Sequence, residues 1–310
     1  MAAVAEPPRK TGAAALSVAS NLALIVVKIV AGALTGSVAI LTEAVHSGID
    51  LLASVIAYAS LRKADQPADA EHPYGHEKLE NVAAAAEGVL ILVGASVIVY
   101  ESVRHLVEGS HVHTLGVGIG VVAASAVTNV IVSRVIARRA AQTESPALEG
   151  DAAHLSTDAA TSGAVLVGLV LVQVTGAQWL DPAVAIAVAI AIVAAGVRLV
   201  SRSARVLVDE ALPPEEMRLV RDTVVELGAD EGVVGLHQLR ARRAGSRRYL
   251  DLHLQFRAGT TLEAAHRTAH MLQDEIGRRL GNADILIHLE PEDRVRPGSE
   301  IRPRREARRG

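Results

Sequence analysis

Runs of Ala, Val, Ile, Leu and Gly long enough to cross a bilayer fill this chain up to about position 200 and then stop. A hydrocarbon layer about 30 Å thick calls for about 20 apolar residues per helix. Inside it every backbone polar group must be satisfied within the segment. Windows of this kind lie near 14–34, 38–61, 82–106, 115–137, 152–174 and 180–200. The third and fifth are the least sharply bounded, because polar residues intrude. Each carries Gly, Ala or Ser at short intervals, which lets helix backbones approach closely. The hydrophobic fraction, 50%, is ordinary for a soluble protein. Its concentration in these windows is what predicts six transmembrane helices.

Charges between the windows alternate. Arg9 and Lys10 precede the first, and Arg62, Lys63 and Lys78 separate the second from the third. Arg134, Arg138 and Arg139 end the fourth, and Arg198, Arg202 and Arg205 end the sixth. The turns 34–37, 108–114 and 175–179 carry no Lys or Arg. The positive-inside rule therefore puts both termini in the cytoplasm, in a multi-pass protein of the cytoplasmic membrane in contact with lipid. Met1–Lys10 lacks the pattern of a cleaved signal peptide. A net charge of −3 is too weak to argue for nucleic acid. The absence of cysteine excludes disulfides and thiolate metal sites, so any metal must be held by His and carboxylate.

After Asp209 the pattern changes. Pro213 and Pro214, followed by Glu215 and Glu216, open a helix reaching about Gly228. Val233–Arg240 and Arg248–Arg257 read as strands, the second with Leu250, Leu252, Leu254 and Phe256 on one face and Asp251, His253 and Gln255 on the other. Leu262–Leu280 is an amphipathic helix, and Ala283–Glu290 a last strand. The order α-β-β-α-β predicts a small two-layer α+β domain. Arg294–Gly310, rich in Arg and Pro, predicts a disordered basic tail, and contact of Arg302–Arg309 with anionic lipid is the less favoured reading. The expected organisation is a segment 1–13, a six-helix domain 14–208, an α+β domain 209–292 and a tail 293–310.

Two apolar windows contain the same spacing, His46-x-x-x-Asp50 and His154-x-x-x-Asp158. Four residues place both side chains of a pair on one helix face, one turn apart. Ionisable groups inside a membrane are costly and mark function by default. One such pair is equally well read as hydrogen bonding to a neighbouring helix. Two matched pairs supply two imidazoles and two carboxylates, the ligand kit for tetrahedral Zn²⁺. Their charge of −2 is cancelled by Zn²⁺ or by protonation of both imidazoles, so metal and protons are interchangeable partners.

Ser17-x-x-x-Asn21, Lys28, Gly32, Gly36-Ser37 and His46-Ser47-x-x-Asp50 resemble the opening of cation diffusion facilitator transporters. His154-x-x-x-Asp158, the run Asp69-Ala-Glu-His72-Pro-Tyr-Gly-His76-Glu-Lys78 and the junction Asp209-Glu-Ala-Leu-Pro213 extend the resemblance over about 14–290. It implies a homodimeric metal/proton antiporter, not an enzyme, with six helices and a ferredoxin-like cytoplasmic domain per protomer. The family's transport site falls on His46, Asp50, His154 and Asp158. His rather than Asp at the first position implies zinc rather than manganese or iron, with cadmium as a secondary cargo.

The remaining candidates lie outside the apolar windows. Asp69-x-x-His72-x-x-x-His76 is compatible with a Zn²⁺ site that leaves one position open, or with a solvated loop, and the resemblance favours the metal site. His76-Glu77 opens no zinc-protease motif, because Glu80 stands where the second His belongs. On the last strand His288 and Glu290 share a face by the period of two, which by itself reads more readily as polar surface than as a metal site. The resemblance groups His237, His253, His288 and Glu290 into a cytoplasmic metal site, with His266 contributed across the dimer interface, and makes Lys78 and Asp209 a charge pair linking the third and sixth helices. His270 reads as surface, and Lys28 as a snorkelling or internally paired cation. Gly116-Val-Gly-Ile-Gly120 follows no strand and is no dinucleotide loop. The expected function is zinc efflux in exchange for protons by alternating access. The competing readings are a membrane-bound zinc sensor and, less favoured for want of a general base, an intramembrane metalloenzyme.

Overall fold

The structure, a computed structural model, describes residues 10–35, 38–108, 116–177 and 179–292. The basic tail and the first nine residues lie outside these, as do the side chains of residues 35–43, 45 and 46, and so the expectation placed on His46. Two compact units divide the chain, Met1–Leu207 and Val208–Gly310.

Among the described residues the first unit is six long helices: α1 (Lys10–Thr35), α2 (Val38–Ala64), α3 (Lys78–Glu108), α4 (Gly116–Thr143), α5 (Pro146–Thr175) and α6 (Leu180–Leu207). At 26 to 31 residues each they reach about 40 Å or more. Among the described residues α1, α3, α4, α5 and α6 are long and apolar enough to cross a membrane. Several helices run past the apolar windows, because their polar ends have capping or charged partners. Ser145 caps α5 by accepting from the Leu148 amide, with Pro146 opening the helix. Its hydroxyl also bonds Glu80, which in turn holds Lys10 at 2.7 Å. At the far end Gly176 takes a left-handed conformation (φ 73°) and closes α5.

Helix α3 packs mainly on α6, α4 on α5 and α1 on α2. Small residues permit these approaches. A methyl at Gly88 would lie 2.6 Å from Val200 Cγ2, and one at Gly196 2.9 Å from Leu92. Outward faces stay apolar, with Leu22, Val26, Val93, Val97, Val170 and Ile190 exposed. The interior is unusually polar: Ser17, Asn21, Lys28, Asp50, Ser54, Glu87, Asp151 and His154 are all buried. Lys28 pairs internally, donating to Ser47 Oγ at 2.7 Å.

The second unit holds α7 (Pro214–Gly228), a single 3-10 turn, β1 (Val233–Ala244), β2 (Arg247–Phe256), α8 (Leu262–Leu280) and β3 (Ala283–Pro291). The sheet order is β1-β2-β3, with β1 and β2 antiparallel and β2 and β3 parallel through α8. Leu250, Leu252, Leu254 and Phe256 meet Val220, Val224, Leu272 and Ile276 in one core. Strand β1 continues four residues beyond the expected Arg240. The cause is a two-residue turn at Gly245-Ser246, with φ of 56° at the glycine, which lets Ala244 pair with Arg247. Arg243 and Arg248 from the extended strands clamp Glu216 of α7 at 2.6 and 2.8 Å.

Candidate metal centres

Helices α2 and α5 bring Asp50, His154 and Asp158 together, with one ligand atom of each within 4.8 Å of the others. His154 Nε2 lies 3.4 Å from Asp50 Oδ1 and 3.9 Å from Asp158 Oδ2. The His154–Asp158 contact follows from the helical period, whereas the Asp50–His154 contact depends on how α2 and α5 pack. Asp50 and His154 are each 6% exposed. A buried imidazole facing two carboxylates is a mixed nitrogen and oxygen donor set suited to a divalent cation.

A polar network sits beside this cluster. Asp151 Oδ1 accepts from Ser17 at 2.8 Å and from Ser54 at 3.0 Å. Asn21 donates to Ser54 Oγ at 2.9 Å and to the Asp50 carbonyl at 3.4 Å. Asp151 thereby ties α1 and α2 to α5 within one turn of His154. Glu87 of α3, 1% exposed, brings its Oε2 to 3.7 Å from His154 Nδ1. Neither Asp151 nor Glu87 was singled out above. Both are carboxylates at the edges of apolar windows, and the cost of burying such a group was the signal that could have found them.

The loop between α2 and α3 folds around Asp69. Its Oδ1 accepts from the backbone of Glu71 and His72, at 3.0 and 2.7 Å, and lies 3.3 Å from His72 Nδ1. Oδ2 lies 3.2 Å from Nε2 of the buried His76. Gly75, at φ 88°, turns the chain so that the two imidazoles approach to 4.6 Å between ring centroids. The His72 backbone hydrogen bond holds the Asp69 carboxyl below its ordinary value against the push of desolvation. All three expected loop residues therefore converge.

In the second unit strand register builds the site. His237 pairs with His253 across β1 and β2, and His253 with His288 across β2 and β3, so three imidazoles form a row on the face away from the core. Glu290 bridges them: Oε2 lies 2.9 Å from His237 Nε2 and Oε1 2.8 Å from His253 Nδ1. His288 Nε2 is 3.7 Å from the same carboxylate, and Gln255, not anticipated from sequence, donates to Oε2 at 3.5 Å. The His253 hydrogen bond, aided by His237 and opposed by partial burial, lowers the Glu290 carboxyl to about 2. His237, His253 and Glu290 converge as a ligand group. His266 stands on the exposed face of α8, its ring edge-on to His270 at 4.4 Å. It belongs to none of the converging groups found among the described residues.

Of the expected charge pair, Lys78 Nζ donates to the Leu207 carbonyl at 3.4 Å, and Asp209 accepts from Arg242 at 3.3 Å.

Comparison with known proteins assigns both units. Residues 14–208 match the cation efflux transmembrane domain, and 212–292 match the cation efflux protein cytoplasmic domain. The chain is 33% identical over 287 residues to the cation-efflux pump FieF of Salmonella arizonae, covering 90% of this chain and 92% of the relative. An uncharacterised transporter of Synechocystis is 33% identical over 278 residues, covering 90% and 89%. Among solved structures, the zinc form of CzrB is 35% identical, covering 28% of this chain and 98% of its own, with a TM-score of 0.27. The chain is thus a membrane protein that belongs to the cation diffusion facilitator family of cation efflux transporters.

Proposed function

We propose that this protein exports zinc across the cytoplasmic membrane in exchange for protons, by alternating access around His46, Asp50, His154 and Asp158. The observation that carries the reading is the buried meeting of Asp50 with His154 and Asp158 across α2 and α5. A rigid-body shift between those two helices would change both the ligand distances and the side from which the site is reached. Zinc is the cargo best suited to an imidazole and carboxylate set without thiolate, and cadmium is a weaker alternative. Charge supports proton exchange: two carboxylates and two neutral imidazoles are balanced either by one divalent cation or by two protons.

In this reading both termini are cytoplasmic, as the alternating Arg and Lys content supports, and the protein works as a homodimer. The Asp69 loop and the His237–His253–His288–Glu290 row bind zinc on the cytoplasmic side and tune transport, with His266 supplied by the second protomer. Lys78 and Asp209 act as the charge pair at the base of the membrane helices.

The deciding experiment is radiozinc uptake into inside-out vesicles. Asp50→Ala is expected to abolish uptake while leaving the protein folded and inserted. Undiminished uptake by that variant would remove the site from the mechanism. If the parent binds zinc in such vesicles but moves none, a membrane-bound zinc sensor is the better description.

A further inference from the structure

We infer that Glu87 is a positioning residue for the transport site: it holds the His154 ring so that Nε2, not Nδ1, faces the metal. The inference rests on the reading of Asp50, His154 and Asp158 as cargo ligands. The two nitrogens of His154 look in different directions. Nε2 faces Asp50 and Asp158, at 3.4 and 3.9 Å, and Nδ1 faces Glu87 Oε2 at 3.7 Å. An imidazole that gives one nitrogen to a metal keeps its remaining proton on the other, and the acceptor of that N–H fixes the ring.

Glu87 is built into place for this task. It is 1% exposed, and neither of its carboxylate oxygens has a hydrogen-bond partner among the described residues. His154 Nδ1 is likewise buried without one. Two complementary groups therefore face each other a few tenths of an ångström beyond hydrogen-bond distance, and a small rotation about the Glu87 side chain closes the gap. Gly150 sets the approach. It lies one turn before His154 on the same face of α5, and a methyl there would stand 3.2 Å from Glu87 Cβ. The stem of Glu87 lies against Gly150 while its carboxylate reaches His154, so α3 joins α2 and α5 in shaping the site without supplying a ligand. Leaving a carboxylate buried and unpaired is costly, which argues that its partner is engaged during the transport cycle.

The test compares zinc binding to the full-length protein in lipid nanodiscs for the parent, Asp50→Ala, Glu87→Gln and Glu87→Leu. It is coupled to NMR of ¹⁵N-histidine in the zinc-loaded state, with His154 assigned by its loss in His154→Ala. The Asp50-dependent binding step is expected to weaken about 10- to 100-fold in Glu87→Leu, the range seen when a ligand's supporting acceptor is removed. Glu87→Gln, whose amide oxygen can still accept from Nδ1, is expected to keep most of the affinity. The parent and Glu87→Gln should bind zinc through Nε2 alone, and Glu87→Leu through a mixture of the two ring nitrogens. A merely space-filling role predicts Gln and Leu alike, with the ring nitrogen unchanged, and that result overturns the proposal. An equal loss in Gln and Leu also overturns it, pointing to the charge of Glu87 instead. Failure of the underlying site reading shows separately, as an Asp50→Ala protein that binds zinc as the parent does.

Discussion

Asp69 and Glu290 do similar work in different settings. Each is a carboxylate whose two oxygens reach two different histidines. Both carboxyls are held below their ordinary values, so they stay charged at neutral pH. Asp69 therefore offers zinc in the loop a charged ligand that need not first lose a proton. Asp69→Asn, which removes the charged carboxylate that reaches both histidines, should lower the loop's zinc affinity about tenfold or more. Calorimetric titration at neutral pH in an Asp50→Ala background checks this. An affinity unchanged by Asp69→Asn would mean that the loop does not hold zinc through this carboxylate. At the C-terminal row, Glu290→Gln removes the charge that two imidazoles share. Zinc binding by that row is expected to fall about tenfold or more, read as the loss of one calorimetric step.

Elements are joined by contacts of two kinds. In the membrane domain one kind is the close approach of a glycine to a side chain of the facing helix. Gly88 and Gly196 bring α3 against α6, and Gly196→Leu is expected to cost about 1–3 kcal/mol through overpacking. Thermal unfolding of the purified protein in detergent would show it as a lowered midpoint. In the second unit an ionic contact adds to the apolar core. Glu216 of α7 takes a two-pronged contact from buried Arg248 and a further one from Arg243. Burial pushes its carboxyl up, but Arg248 and Arg243 outweigh this and hold it below the usual 4.5. A depressed carboxyl favours the folded state above its unfolded value, and that contribution is lost as pH falls through the folded value. Glu216→Gln should therefore destabilise the domain by about 2 kcal/mol at neutral pH, less than a fully buried pair because Glu216 is partly exposed. The deficit should fade below about pH 4.5. Hydrogen-exchange protection of β1 and β2 amides gives the measurement.

For the whole molecule, exchange of zinc for protons makes a simple demand. Vesicle uptake should fall severalfold when a protonophore collapses an imposed proton gradient, with zinc concentration held constant. Uptake indifferent to the gradient would leave an efflux transporter driven by zinc alone. Much of the architecture behind these expectations was legible in the amino-acid order. A bilayer and a two-residue strand period each impose a pattern that a linear chain must display, so the six helices and the α-β-β-α-β order could be read directly. The ligand chemistry was legible too, because a chain without cysteine leaves only His and carboxylate. His154 and Asp158 share a helix face by period alone. Tertiary packing decided which residues from different elements meet. The contact of Asp50 with His154 depends on how α2 lies on α5, and the place of Glu87 on the Gly150 gap between α3 and α5. Strand register decided that His237, His253 and His288 stand in one row with Glu290 across them. Periodicity determines what one element presents along its own axis, while the faces that meet across elements follow from close packing, which no local pattern encodes.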